Sequence, residues 1–345
     1  MTFADIVKRS DTNASSRLVQ WASGVLPGRH GAPAVRKTIN KSKKPVQPIL
    51  PLDYGNRSPA LVDKRLRYAS FVSNVHGVLY VEAPKTACTA LKWILSGLDS
   101  KNISLSHYPR QTSLEMCIHF RDFHPLPSLL DFSGGDVRRI MKTYRRLCAV
   151  RNPYTRLASA WANKIRLKEP GFGQICGEIS AHAELRPNRQ ISFKDFALWV
   201  VETNDPKRCD AHWRPQANLL YPELMDYTDL LKVENLAADL QTFFETIPSL
   251  RSHDASSLLS NVYCNKSIPL DYGALYDREL ADRVAEFYAD DFERYGYDES
   301  SWEDLDRKGK PSYEELEAAA LGAIRQRNAV IEHFGPAKAA PIAPR

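Results

Sequence analysis

The chain has 345 residues, 43% of them hydrophobic and 26% charged, which is ordinary for a globular protein and enough to bury a sizeable core. It has no run of 18 apolar residues, so no membrane-spanning helix is expected. The net charge of +6 is uneven: residues 1–65 hold 12 Lys or Arg against 4 Asp or Glu, and the remainder 35 against 37, so the basic character is not a property of the body.

Residues 1–65 are rich in Pro, Lys and Ser and only weakly periodic. They read as a basic arm or linker, partly disordered, with a short helix at most. No continuous hydrophobic stretch opens the chain, so a secretory signal is not expected. The "NKSKKP" cluster has no interleaved aromatic residues. It reads as a solvated tail, with recruitment of an anionic acceptor as the alternative and no nucleic acid expected. A body is expected over 66–308, and a C-terminal helix and disordered tail over 309–345.

"GVLYVEAP", residues 77–84, reads as a buried strand stopped at Pro84. "TACTALKWILSGL" follows with Ala87, Leu91, Ile94 and Leu98 at helical spacing. "RRLCAVRNP" is a second strand, "YTRLASAWANKIRL" a second helix and "ISFKDFALWVVET" an amphipathic helix. "YTDLLKVENLAADLQTFFETI" is a third strand and helix. Strands alternating with helices predict an α/β fold, a mainly parallel sheet with helices on both faces. Ligands bind at the carboxyl ends of such strands, where Lys85, Arg151 and Glu234 fall.

The Pro84 turn leads into a helix whose first N–H groups lack partners, a place that favours an anion. Small residues at Ala87, Cys88 and Ala90 let a ligand approach, Lys85 adds a cation, and Thr86 and Thr89 add hydroxyls. The pattern G-x-x-x-x-G-K-[ST] is absent, so the stretch is either a phosphate cradle or an ordinary strand–helix turn. Arg151, Arg156 and Ser159 repeat this geometry and suit a second phosphate, or a salt-bridged helix face. Cys88, Cys117, Cys148, Cys176, Cys209 and Cys264 form no C-x-x-C pair, and neither a zinc site nor a disulfide framework is expected.

Taken together, these motifs resemble the carbohydrate sulfotransferases, especially the branch containing chondroitin and dermatan 4-O-sulfotransferases. Pro84, Lys85, Ala87, Cys88, Thr89 and Lys92 match the P-K-x-A-C-T-x-x-K loop of that family, and residues 151–161 match R-[NED]-P-[FY]-x-R-L-x-S-A-[YW]. "HWRPQANLL", "YTDLLKVENLAAD" and "FYADDFERYGY" follow in the family's order. The resemblance runs from about residue 75 to 298 and implies a three-layer, P-loop-hydrolase-like sulfotransferase fold.

It also implies transfer of a sulfuryl group from 3′-phosphoadenosine-5′-phosphosulfate (PAPS) to a hydroxyl on a saccharide or glycolipid, without a metal. Lys85, Thr86, Ala87, Cys88, Thr89 and Ala90 would hold the 5′-phosphosulfate, with Lys85 on the leaving group. Arg151 and Ser159 would hold the 3′-phosphate. Cys88 is then a small loop residue and not a nucleophile. The general base is sought among His107, His119, His124 and His212. His124 is preferred by its place between the phosphate motifs, and His119 is its near competitor. His212 and Trp213 are candidates for lining the acceptor or cofactor site, or a core aromatic pair. Animal members are Golgi enzymes with a membrane anchor, whereas this sequence suggests a cytoplasmic enzyme. The segment 105–130 matches poorly, which leaves the acceptor open. A nucleotide kinase-like transferase and a non-catalytic nucleotide-binding protein of the same fold are the alternatives.

Overall fold

A computed structural model of the chain describes residues 50–305, except 56, 100–117, 120–125, 168, 170 and 263–269. Helix α1 (Pro59–Tyr68) leads into strand β1 (Ser70–Ser73). Strand β2 (Val78–Val81) and helix α2 (Cys88–Leu98) come next. Helix α3 (Gly134–Thr143), strand β3 (Arg145–Val150) and helix α4 (Pro153–Ala160) form the second unit. Helices α5 (Gly173–His182) and α6 (Phe193–Thr203) lie between β3 and strand β4 (Asp229–Lys232). After β4 come helices α7 (Leu236–Glu245), α8 (Ala255–Asn261), α9 (Arg278–Phe287) and α10 (Ala289–Tyr295).

The sheet of the described residues runs β1-β2-β3-β4. Strand β2 pairs parallel with β3, and β3 with β4, through Val81↔Cys148 and Val150↔Lys232. Their carboxyl ends therefore open on one edge, where the expected site lies. Strand β1 pairs antiparallel with β2 and was not read from the sequence. Its four residues are all buried, so they lack the polar alternation that marks a surface strand.

Side-chain alternation explains the three layers. Leu79, Val81, Cys148 and Val150 point to one face, against Val62 and Leu66 of α1 and Val137 and Ile140 of α3. Val78, Tyr80, Leu147 and Ala149 point to the other, against Leu91 and Ile94 of α2 and Phe243 and Phe244 of α7. Full burial of each such apolar side chain contributes about 1.5–3 kcal/mol. A third cluster contains no strand residue and joins α4, α5, α6 and α9 around Tyr154, Phe196 and Trp213.

The mainly parallel α/β sheet is as expected, but three boundaries differ. Helix α2 begins at Cys88 and not Thr86, because Lys85 and Ala87 both have positive φ, at 71° and 59°. Beyond Ala160 the second helix widens into a π-helical turn, Trp161–Arg166. The packed body also reaches back to Leu50. Leu50, Tyr54 and Val62 are buried, and the Leu50 N–H donates to Asp63 Oδ1 at 2.9 Å. A boundary at residue 65 would cut through α1. The basic stretch before residue 50 and the tail after 305 lie outside the described residues.

Candidate active site

The loop from Glu82 to Ala87 joins β2 to α2 without a glycine. Two L-residues therefore hold left-handed conformations, costing on the order of 1–3 kcal/mol each, a strain that clusters at ligand sites. Thr86 is buried and donates its hydroxyl to Ala83 O at 2.8 Å, which fixes the turn. That proton is no longer available to a phosphate, so Thr86 offers only its backbone N–H. Ala90 is buried in the first turn of α2, and Ala87 is half-buried at its start. Burial pushes the Cys88 thiol up, against a role as thiolate nucleophile.

Lys85 Nζ donates to Asn163 Oδ1 at 3.0 Å. Asn163 sits in the π-helical turn, an element frequent at functional sites. Burial, with the Lys164 ammonium next in effect, lowers the Lys85 pKa to about 7. An arriving anion restores the charge, so the lysine is suited to meet negative charge that develops during a reaction.

His119 is held at both ring nitrogens. Lys92 Nζ lies 2.9 Å from Nδ1, and Thr89 Oγ1 2.8 Å from Nε2. An ammonium can only donate, so Nδ1 accepts and Nε2 carries the hydrogen. The ring then donates to Thr89 and leaves the threonine's own hydrogen for a ligand. Lys92 is in turn fixed by Glu82 Oε2 at 2.8 Å and lies over the Phe71 ring. His119 is thus placed to orient Thr89 and not to take a proton. Glu82, Cys88 and His119 bring their ligand atoms within 4.8 Å of one another. The Lys92 ammonium contacts two of the three.

At the end of β3, Arg151 donates through Nε to Thr155 Oγ1 and through Nη2 to Tyr272 OH, both at 3.0 Å. Two neutral hydroxyls are partners that an anion can displace. The backbone here is locked on both sides. Arg151 N donates to Gln216 Oε1 and Asn152 N to Glu234 Oε1, each at 2.8 Å. Ser159 is buried further along α4. Arg156 departs from the sequence reading of a phosphate fork. It is fully buried and donates to Pro84 O, Arg214 O and Ala211 O at 3.0, 2.8 and 3.0 Å. It staples the Lys85 loop to the loop carrying His212.

His212 is half-buried, with Nδ1 2.6 Å from Asp210 Oδ1 and its ring edge-on to Phe172. Trp213 is 1% exposed, packs against Phe196 and Trp199, and donates to Asn204 Oδ1 at 3.2 Å. It belongs to the core and does not line a cleft. His107 and His124 lie outside the described residues. Sequence reasoning missed Asn163, Lys164, Glu169 and Asp210. The only signal for the first two is their place just after the Ser159-Ala160-Trp161 segment.

This arrangement joins a lysine loop at the carboxyl end of β2, a strained helix start and an arginine at the end of β3. It places cationic side chains at the ends of two neighbouring parallel strands. The profile of the Sulfotransferase family matches residues 68–298, and the chain belongs to that family. It is 27% identical to human carbohydrate sulfotransferase 8 over 251 residues, covering 70% of this chain and 56% of that protein. The mouse carbohydrate sulfotransferase 8 is 29% identical over 188 residues, 51% and 43% of the two chains. The Xenopus laevis carbohydrate sulfotransferase 10 is 26% identical over 272 residues, 72% of each. The chain spans about half the length of the first two. No solved structure matches it. Among the described residues no helix is long and apolar enough to cross a membrane.

Proposed function

We propose that this protein transfers a sulfuryl group from PAPS to a hydroxyl of a saccharide. The observation that carries the reading is the strained, glycine-free Lys85 loop at the start of α2, in a chain of this family whose relatives are carbohydrate sulfotransferases. The donor set fits such a nucleotide. Lys85, the N–H groups of the first turn of α2 and the Thr89 hydroxyl form one anion site, and Arg151 with Ser159 the other.

PAPS would supply the activated sulfuryl group and leave as 3′,5′-ADP. Lys85, held by Asn163, neutralises the charge appearing on the departing phosphate oxygen. The helix start and Thr89 fix the 5′-phosphate so that the acceptor oxygen meets sulfur in line. Arg151 at the second anion site distinguishes the donor from ATP. The test is incubation with sulfur-labelled PAPS and a panel of 4-nitrophenyl glycosides, glycolipids and phenols. Label on a saccharide supports the reading. Phosphate transfer from ATP-Mg would support the kinase-like alternative, and nucleotide binding without any transfer the non-catalytic one.

A further inference from the structure

Three observations converge on the loop 210–214. First, Asp210 holds His212 twice. Its Oδ1 accepts the His212 backbone N–H at 2.8 Å and faces the ring Nδ1 at 2.6 Å. Burial opposes a carboxylate there, but the His212 ring and backbone amide hold Asp210 down to about 2. The group is therefore ionised and can only accept. Nδ1 must carry the hydrogen, which leaves Nε2 as the ring's acceptor. Among the described residues nothing is hydrogen-bonded to Nε2.

Second, the loop is fastened to the donor site. One buried guanidinium, Arg156, binds Pro84 O beside Lys85 and Ala211 O beside His212. Third, both sites border the same ion pair. Lys164 Nζ binds Glu169 at 2.6 and 2.7 Å and lies over the Phe172 ring, against whose edge His212 packs. Lys164 is the residue next to Asn163, which holds Lys85. The groups facing the imidazole are thus Lys164 and Glu169 near the π-helical turn, Asp210 on its own loop, and the Phe172 ring.

We propose that His212 is the general base of the transfer and that Asp210 is the positioning residue that sets its tautomer. The inference rests on the sulfuryl-transfer reading above. Nε2 takes the proton of the acceptor hydroxyl, and the oxygen's electron pair forms the new S–O bond. The bond from sulfur to the bridging phosphate oxygen breaks, and its electrons leave with 3′,5′-ADP beside Lys85. Burial, followed by the Lys164 charge, lowers the imidazole pKa, which keeps the ring neutral near pH 7.

Two measurements on the full chain decide the matter. In the ¹⁵N spectrum of labelled histidines, with His212 assigned by comparison with the His212→Gln variant, the wild type should show a neutral ring protonated at Nδ1. A ring protonated at Nε2, or an imidazolium at pH 7.5, overturns the proposal whatever the transfer assays show. In transfer from labelled PAPS to the glycoside panel, His212→Gln should lower kcat by roughly 10²–10⁴-fold with 3′,5′-ADP binding unchanged. Asp210→Asn keeps the backbone hydrogen bond but loses the charge. It should lower kcat more than it raises KM and alter the pH profile, and Asp210→Glu should restore part of the rate. A His212→Gln protein that binds 3′,5′-ADP and transfers at near wild-type rate overturns the proposal, as does loss confined to His124→Ala. Wild type that fails to transfer while His212 shows the expected tautomer counts against the sulfuryl-transfer reading and not against the dyad.

Discussion

Arg156 separates two accounts of the site. As a phosphate ligand its loss would weaken nucleotide binding and leave the fold intact. The structure makes it a staple instead, with three hydrogen bonds to backbone carbonyls from a fully buried guanidinium. Bonds involving a charged group contribute about 1.5–3 kcal/mol each, and three of them set an upper range of roughly 4.5–9 kcal/mol. Burial of the guanidinium lowers its pKa, and this desolvation cost is recovered when the charge is removed. A net loss near the low end, about 4 kcal/mol, is therefore expected for Arg156→Met, which preserves much of the packing. In a body of this size roughly 2–4 °C per kcal/mol follows, so Tm should fall by about 8–16 °C. The assay is thermal unfolding by circular dichroism without nucleotide, beside titration with 3′,5′-ADP at a temperature where the variant is folded. A melting point within about 2 °C of wild type together with lost nucleotide binding would refute the staple and return Arg156 to the phosphate site.

The other expectations concern the donor site and the boundary. 3′,5′-ADP should raise Tm more than 5′-AMP, a ligand at 100 times its Kd adding about 2.7 kcal/mol; equal shifts would contradict the role of Arg151 and Ser159. Lys85→Ala should reduce kcat far more than it weakens 3′,5′-ADP binding, and a variant that loses only affinity would show that Lys85 does not act on the leaving group. Lys85 also carries a pH signature. Its folded pKa, about 7, lies below the unfolded value, so the penalty on its charge is complete below pH 7 and disappears as pH rises toward 10.5. Lys85→Met should therefore stabilise the nucleotide-free protein more at pH 6 than at pH 9.5, and the reverse order in melting curves would contradict the buried-lysine account. Removing residues 1–49 should leave a folded protein that binds 3′,5′-ADP, whereas removing 1–65 should not, because Leu50, Tyr54 and Val62 are core residues. Equal Tm for the two truncations would contradict this packing.

Much of the architecture was readable because it rests on local periodicity. The apolar run Val78–Val81 reflects a strand buried on both faces, and the helical spacing of Leu91, Ile94 and Leu98 reflects one helix face against one core layer. Strand β1 was not readable, since "SFVS" has no distinctive pattern and gains its meaning only from pairing with β2. The site divides in the same way. Lys85 and Arg151 stand at strand ends beside prolines that mark the turns, so their positions follow from sequence. The Arg156 staple did not, because its partners Pro84, Ala211 and Arg214 are distant in sequence and contribute only carbonyls, which every residue possesses. The tautomer of His119 and the Asp210–His212 pair likewise depend on hydrogen bonds, two of them to residues some 30 positions away. Trp213 illustrates the converse. An aromatic beside a histidine suggests a stacking wall, but 1% exposure places it among Phe196 and Trp199.

The proposed function requires that a sulfuryl group pass from PAPS to a saccharide hydroxyl at the Lys85 loop. Incubation of the full chain with sulfur-labelled PAPS and the glycoside panel, analysed by mass spectrometry of the products, addresses it most directly. The expected result is a sulfate ester on at least one saccharide, equimolar 3′,5′-ADP, and loss of both with Lys85→Ala. Absence of any sulfated product, together with a preference for ATP-Mg over 3′,5′-ADP in binding, would contradict it.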